Sequence, residues 1–215
     1  MRYTDRDPVK KAERRKRLLK AGFRLMSART IEAVTLQEIA DEAKIGIATL
    51  YRYFGSKPQL VIEIGTNVWQ RYYVDVERKY ARLNGPAMNA AEELEFFLDS
   101  IIELYRHHRD VLRFNRNFDT FVKHEECTAE QMRPYNEAVA VFEKKFQTVV
   151  RKAREDGTLD VRVTDPKVFV NLLYIMVSVA GKYAEGLVYP PDGEHDMTDE
   201  LLMLKDMVLA SFKRG

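Results

Sequence analysis

Apolar residues return at three- and four-residue steps along nearly the whole chain, and helix-start signals cut that pattern into lengths. A chain patterned this way buries its apolar surface by packing helix against helix. Thr35-Leu36-Gln37-Glu38, Ser56-Lys57-Pro58-Gln59 and Thr128-Ala129-Glu130-Gln131 each place a hydroxyl side chain three residues before a Glu or Gln. In that spacing each side chain can bond the other residue's backbone N–H, which opens a helix. Asn84-Gly85-Pro86 and Gly157 are stops. Only ten glycines and seven prolines occur in 215 residues, which leaves room for long helices.

The spacing predicts nine helices, at about 8–28, 35–43, 46–54, 57–82, 88–107, 110–123, 128–157, 165–187 and 198–213. Leu18, Gly22, Leu25 and Met26 form the inward stripe of the first. Pro134 falls in the second turn of the seventh, where a kink is expected. Tyr189-Pro190-Pro191-Asp192-Gly193 reads as a loop, and no strand or internal repeat is expected. The fold class is all-α. Three short helices form a domain over residues 1–56, and a larger helical bundle forms a second over 57–215, with the fourth helix linking them.

The charge is unevenly spread. The chain carries a net +2, but the first sixty residues carry +7 and the remainder −5. A basic head on an acidic body suits a polyanionic partner, although a solvated first helix explains the charge equally well. Cys127 is the only cysteine, so no internal disulfide can form. Residues 1–25 lack the apolar run of a signal peptide, and the apolar stretch Leu172–Ala180, broken by Ser178, is too short to span a bilayer. A cytoplasmic protein without membrane contact is expected. There is no Gly-rich phosphate loop, HExxH or paired-cysteine spacing. His107-His108 and His124-Glu125-Glu126-Cys127 are neighbours that do not share a helix face. No metal, cofactor or catalytic constellation is therefore expected.

The segment from Leu36 to Tyr53 fits a helix-turn-helix. Ala40 supplies the small residue where the two helices cross, and Ile39, Ala43, Ile45, Leu50 and Tyr53 have the spacing to lock the pair. A second helix held this way can project its leading side chains into a major groove. An ordinary helical hairpin would share the apolar spacing. The basic first helix and the cation at the capped start Ser56-Lys57 favour the groove.

Thr35-Leu36-Gln37-Glu38-Ile39-Ala40, then Ile45-Gly46-Ile47-Ala48-Thr49-Leu50-Tyr51-Arg52-Tyr53-Phe54, then Ser56-Lys57, resembles the DNA-binding signature of the TetR (tetracycline-repressor-like) family. Leu18-Leu19-Lys20-Ala21 and Leu25-Met26 match its first helix, so the resemblance covers about residues 12–60. Three positions depart from the family pattern. Lys44 and Thr30 stand where glycine is usual, and Gly46 opens the second motif helix in place of serine. A lysine in a left-handed turn costs roughly 1 kcal/mol. The resemblance implies phosphate contacts at Thr35, Thr49, Tyr53 and Lys57, whose hydroxyls and ammonium suit phosphate oxygens. Gln37, Ile47, Ala48, Tyr51 and Arg52 are candidates to lie at base edges, with Gly46 at the helix start and Arg52 an alternative phosphate contact. Lys10, Lys11, Arg14 and Arg15 could add backbone or minor-groove contacts.

Behind the motif, aromatics are dense. Core packing is the simpler reading of each one. The resemblance implies a small-molecule pocket in this region, for an apolar or aromatic effector, and Trp69, Tyr72, Phe97, Tyr105, Phe118 and Tyr135 are the candidate lining. The eighth and ninth helices are too apolar to stand half exposed in a monomer. The resemblance places them at a two-fold homodimer interface, with Phe169, Leu172, Leu173, Met176, Leu204, Met207 and Val208 as candidates. The function implied is a repressor that binds a palindromic double-stranded operator and is released by its effector. A helical scaffold acting through a protein partner is the alternative, and an enzyme using the rear pocket a more distant one.

Overall fold

The computed structural model describes residues 8–160, 166–187 and 195–213, all but the side chains at 166 and 169. The loop expected at 189–193 and the helix start expected at Asp165 lie outside the described residues. Within them the chain forms nine α-helices: α1 (Pro8–Ala28), α2 (Leu36–Glu42), α3 (Ile47–Phe54), α4 (Lys57–Arg82), α5 (Ala90–His107), α6 (Arg109–His124), α7 (Ala129–Asp156), α8 (Pro166–Ala184) and α9 (Thr198–Phe212). A 3-10 turn, Gly85–Ala87, joins α4 to α5. The two expectations that ran long were α5, which starts at Ala90, and α8, which ends at Ala184.

Side-chain caps set most of the starts. Thr35 and Thr128 close full capping boxes with Glu38 and Gln131. Ser56 accepts from the Gln59 N–H only. Asn89 forms a further box with Glu92. Pro134 sits inside α7 without ending it.

Two apolar cores result. One joins α1, α2 and α3 to the first half of α4 and to Phe114, Phe118 and Phe121 of α6. The other joins the far half of α4 to α5, α7, α8 and α9 around Phe97, Tyr105 and Phe146. The apolar core therefore does not part at residue 57; α4 and α6 run through it. Close approaches make this possible. A Cβ on Gly22 of α1 would lie 2.6 Å from Ile64 Cδ1 of α4, and one on Gly65 would lie 2.9 Å from the Phe118 ring of α6. Any larger residue at either position would have to displace the side chain facing it.

A buried ion pair braces the far core. Glu93 of α5 is fully buried, meets Lys152 of α7 at 2.6 Å and accepts from the Tyr80 hydroxyl at 2.8 Å. Burial and the carboxylate hold the Tyr80 hydroxyl well above the usual phenol range. No described helix is long and apolar enough to cross a membrane.

Candidate DNA-binding interface

Helices of seven and eight residues, such as α2 and α3, are too short to persist alone in water. Their surroundings hold them. Thr35 Oγ1 accepts from Glu38 N at 3.1 Å, and Glu38 Oε2 accepts from Thr35 N at 2.7 Å. The Thr35 backbone N–H, the Thr35 hydroxyl, which donates to the same oxygen at 2.8 Å, and Arg29 pull the Glu38 carboxyl down to about 2. At the other end of α2, Ile45 N donates to Ala40 O at 2.9 Å and Lys44 N to Asp41 O at 3.0 Å, a Schellman stop. That stop needs a left-handed residue, and Lys44 supplies it at φ 53°. Arg17 of α1 donates to the carbonyls of Ala43 and Lys44, so a charged donor braces the strained corner.

The turn aims α3 outward. Leu50 and Phe54 are buried in the head core, while Ile47 and Tyr53 pack against it half-buried. Ala48, Tyr51 and Arg52 face solvent, and Tyr51 is 51% exposed. Gly46 opens the helix without a side-chain cap, and the space around it is open. Thr49 lies half-buried within 3.4 Å of Arg52 Nη2, whose guanidinium also stands over the Tyr53 ring. Thr35 and Gln37 are exposed at the start of α2, and Gln37 Nε2 donates to Asp41 Oδ1 at 2.8 Å. The start of α2 and the outer side of α3 are therefore both open to solvent.

Lys57 is placed differently from the rest. Its ammonium donates to Glu32 O at 3.1 Å and stands 5.8 Å from the Phe121 ring centroid of α6, and burial lowers its pKa. It joins head to bundle. Arg15 likewise turns inward: it pairs with Glu63 of α4, donates to Tyr53 O at 3.3 Å and lies over the Phe54 ring. Arg24 pairs with Glu42, and Arg29 with Glu38. Three arginines of α1, Arg15, Arg17 and Arg24, thus tie the head together. Sequence spacing gave no sign of these partners, because each lies on a different helix. Lys11 remains exposed, with no partner among the described residues.

Arg113 of α6 reaches from the head to the back of the molecule. Its Nε donates to Ser27 O near the end of α1 at 3.2 Å, and its Nη1 donates to Ala184 O at the end of α8 at 3.3 Å.

The six aromatics expected to line one pocket do not meet around one. Trp69 Nε1 donates to Asn115 Oδ1 and to Tyr135 Oη, each at 3.1 Å, and Tyr135 stacks on Phe118 with centroids 4.4 Å apart. Phe97 packs on Phe146, and the Tyr105 hydroxyl accepts from Met197 N at 3.0 Å. These rings satisfy one another as core. A cleft of about 1090 Å³ opens instead between α1 on one side and α4, α5 and α6 on the other, and Tyr72 is the one predicted lining residue that reaches it.

At the back, Met176 is 3% exposed and belongs to the far core of its own protomer, not to an outward face of α8. Leu172, Leu173, Leu204 and Val208 are half-buried, Met207 is 59% exposed, and the Phe169 side chain lies outside the described ones. Three further exposed apolar residues, Tyr174, Ile175 and Met203, stand outside that candidate set. The continuous apolar run of α8 hid which of its faces turns outward.

A short helix presented outward by a capped, left-handed turn, on a bundle of longer helices, defines a helix-turn-helix protein of all-α build. Residues 18–64 match the bacterial regulatory proteins, tetR family. That stretch runs from within α1 to the first turns of α4, so the similarity to that family lies in the head. It is 36% identical over 89 residues to the HTH-type transcriptional repressor KstR of Rhodococcus jostii (strain RHA1), a match covering 41% of this chain and 39% of the repressor. The chain thus spans about two fifths of the length of that curated relative. Its fold is that of a transcriptional regulator from Saccharomonospora viridis solved with choline, at TM-score 0.70 and 19% identity over 95% of this chain and 100% of that one. The ketosteroid transcriptional regulator KstR2 of Mycobacterium tuberculosis gives TM-score 0.61 and 19% identity over 94% of this chain and 96% of its own.

Proposed function

We propose that the protein is a sequence-specific transcription regulator, a repressor that grips a palindromic operator as a homodimer and lets go when a small molecule binds its rear domain. Residues 1–56 are the DNA-binding head in this reading, and 57–215 the effector and dimerisation domain. The observation that carries it is the outward face of α3. Ala48, Tyr51 and Arg52 stand clear of a core that Leu50 and Phe54 anchor, beside the exposed Thr35 and Gln37. Hydroxyls flanking such a helix contact phosphate, and its exposed side chains read bases.

Tyr174, Ile175, Met203 and Met207 give the homodimer its physical motive. They are 61%, 55%, 57% and 59% exposed, on the same two helices that the resemblance assigns to the interface. Two heads then sit about one DNA turn, roughly 34–36 Å, or a multiple apart. The repressor KstR supports the sign of the regulation.

The test is selection of binding sites by the full-length protein from a random duplex library. A two-fold symmetric consensus bound about 1000-fold tighter than bulk DNA is expected. Thr49→Ala should weaken all sequences alike, whereas Tyr51→Ala should relax preference at particular base pairs. Ile175→Glu should leave a monomer by sedimentation and lose the palindrome. Enrichment of no sequence over random DNA would overturn the reading.

A further inference from the structure

The cleft between head and bundle has a divided wall. Its floor is apolar, with Leu19 and Phe23 from α1 and Val68 from α4. Five of its lining residues are Lys or Arg, and two of these are neutralised: Arg15 pairs with Glu63, and Lys79 lies 3.5 Å from Glu103. The other three, Lys16, Lys20 and Arg71, are exposed and have no anionic partner among the described residues. Of the remaining lining carboxylates, Asp75 lies 3.4 Å from Arg78, and Asp110 occupies the first turn of α6, where the helix dipole favours it. Lys16 and Lys20 are one helical turn apart on α1, so they repel each other across the same opening. An uncompensated set of cations above an apolar floor has a natural complement.

We propose that this cleft binds a small amphipathic anion, a carboxylate or phosphate head on an apolar body, with Lys16, Lys20 and Arg71 holding the head and Leu19, Phe23 and Val68 covering the body. Charge-assisted bonds from a guanidinium and two ammonium groups suit an oxyanion, and the cleft has the volume of a small-molecule site. The site lies away from the aromatic core of the bundle. One wall is the first helix of the head, so an occupant bridges the two parts of the molecule and resists any change in their angle. This rests on the regulator reading, refines its effector class and moves the effector from the rear domain alone to the joint with the head, while binding itself is measurable without DNA.

The experiment titrates the full chain, without DNA, with dodecanoate, dodecyl phosphate, dodecanol and dodecyltrimethylammonium, all below their micelle concentrations. Both anions should bind at least tenfold tighter than the neutral and cationic probes. The triple variant K16A/K20A/R71A should lose at least tenfold in anion affinity with unchanged melting temperature, and Asn67→Trp, which fills the cleft, should lose binding of every probe. Equal affinity for anion and cation, or undiminished anion binding in the triple variant, would overturn the proposal. So would a triple variant that loses DNA affinity in a protein binding no anion, since the three cations would then belong to the DNA face. Anion binding by a chain that selects no DNA sequence would leave this proposal standing and remove the regulator reading instead.

Discussion

The head and the far bundle are both helical, yet they are held by different means. In the head, two helices of seven and eight residues depend on a capping box, a Schellman turn and four arginine ties. In the far bundle, helices of 15 to 28 residues close over stacked and edge-on rings, with Phe97, Phe146 and Tyr80 at the centre. The first kind of construction is written in residues a few positions apart. The second depends on which ring meets which, across tens of residues. Polar devices also fix direction where ring packing tolerates adjustment, and a helix that must enter a groove needs direction.

The contrast can be broken experimentally, beginning where the effect is greatest. Phe146→Ala removes a fully buried ring and should cost about 3–5 kcal/mol. Urea unfolding followed by circular dichroism measures it, and a loss below about 1 kcal/mol would mean that the rings do not carry the far core. Thr35→Ala deletes the cap of α2 and should cost about 1 kcal/mol. It should also change the acid response. Glu38 titrates near 2 in the fold, below its ordinary 4.5, so its stabilisation is complete above 4.5 and disappears as pH falls towards 2. Thr35→Ala keeps the backbone N–H bond to Glu38 but loses the hydroxyl bond, so the gap between the melting temperatures of parent and variant should narrow across that window. Lys44→Gly relieves a left-handed lysine and should stabilise the head by roughly 1 kcal/mol. No gain would show that the Arg17 brace needs the lysine's backbone path.

The same contrast explains what could be read without coordinates. The nine helices, the cap at Thr35 and the left-handed turn at Lys44 were legible because caps and turn residues act on their immediate neighbours. The apolar face of α3 was legible for the same reason: a helix of eight residues has few ways to bury Leu50 and Phe54. The pocket was not. Trp69, Phe118 and Tyr135 look identical in sequence whether they surround a ligand or fill space, and here Asn115 lets them fill space. The roles of Arg15 and Lys57 were hidden because their partners lie 48 and 25 residues away along the chain. A basic residue on an amphipathic helix gives no hint that Glu63 or a carbonyl from Glu32 will be waiting. Met176 shows the limit for α8, whose nearly unbroken apolar run carries no phase.

Arg113 has one more implication. Its two bonds, at 3.2 and 3.3 Å, have only a few tenths of an ångström left before they cease to be hydrogen bonds. A rigid planar fork caught between two helix tails works like a short strut with almost no slack. Keeping both bonds therefore requires the tail of α1 and the tail of α8 to hold their separation. Either they travel together or the strut lets go of one of them, and there is little room for a graded response in between.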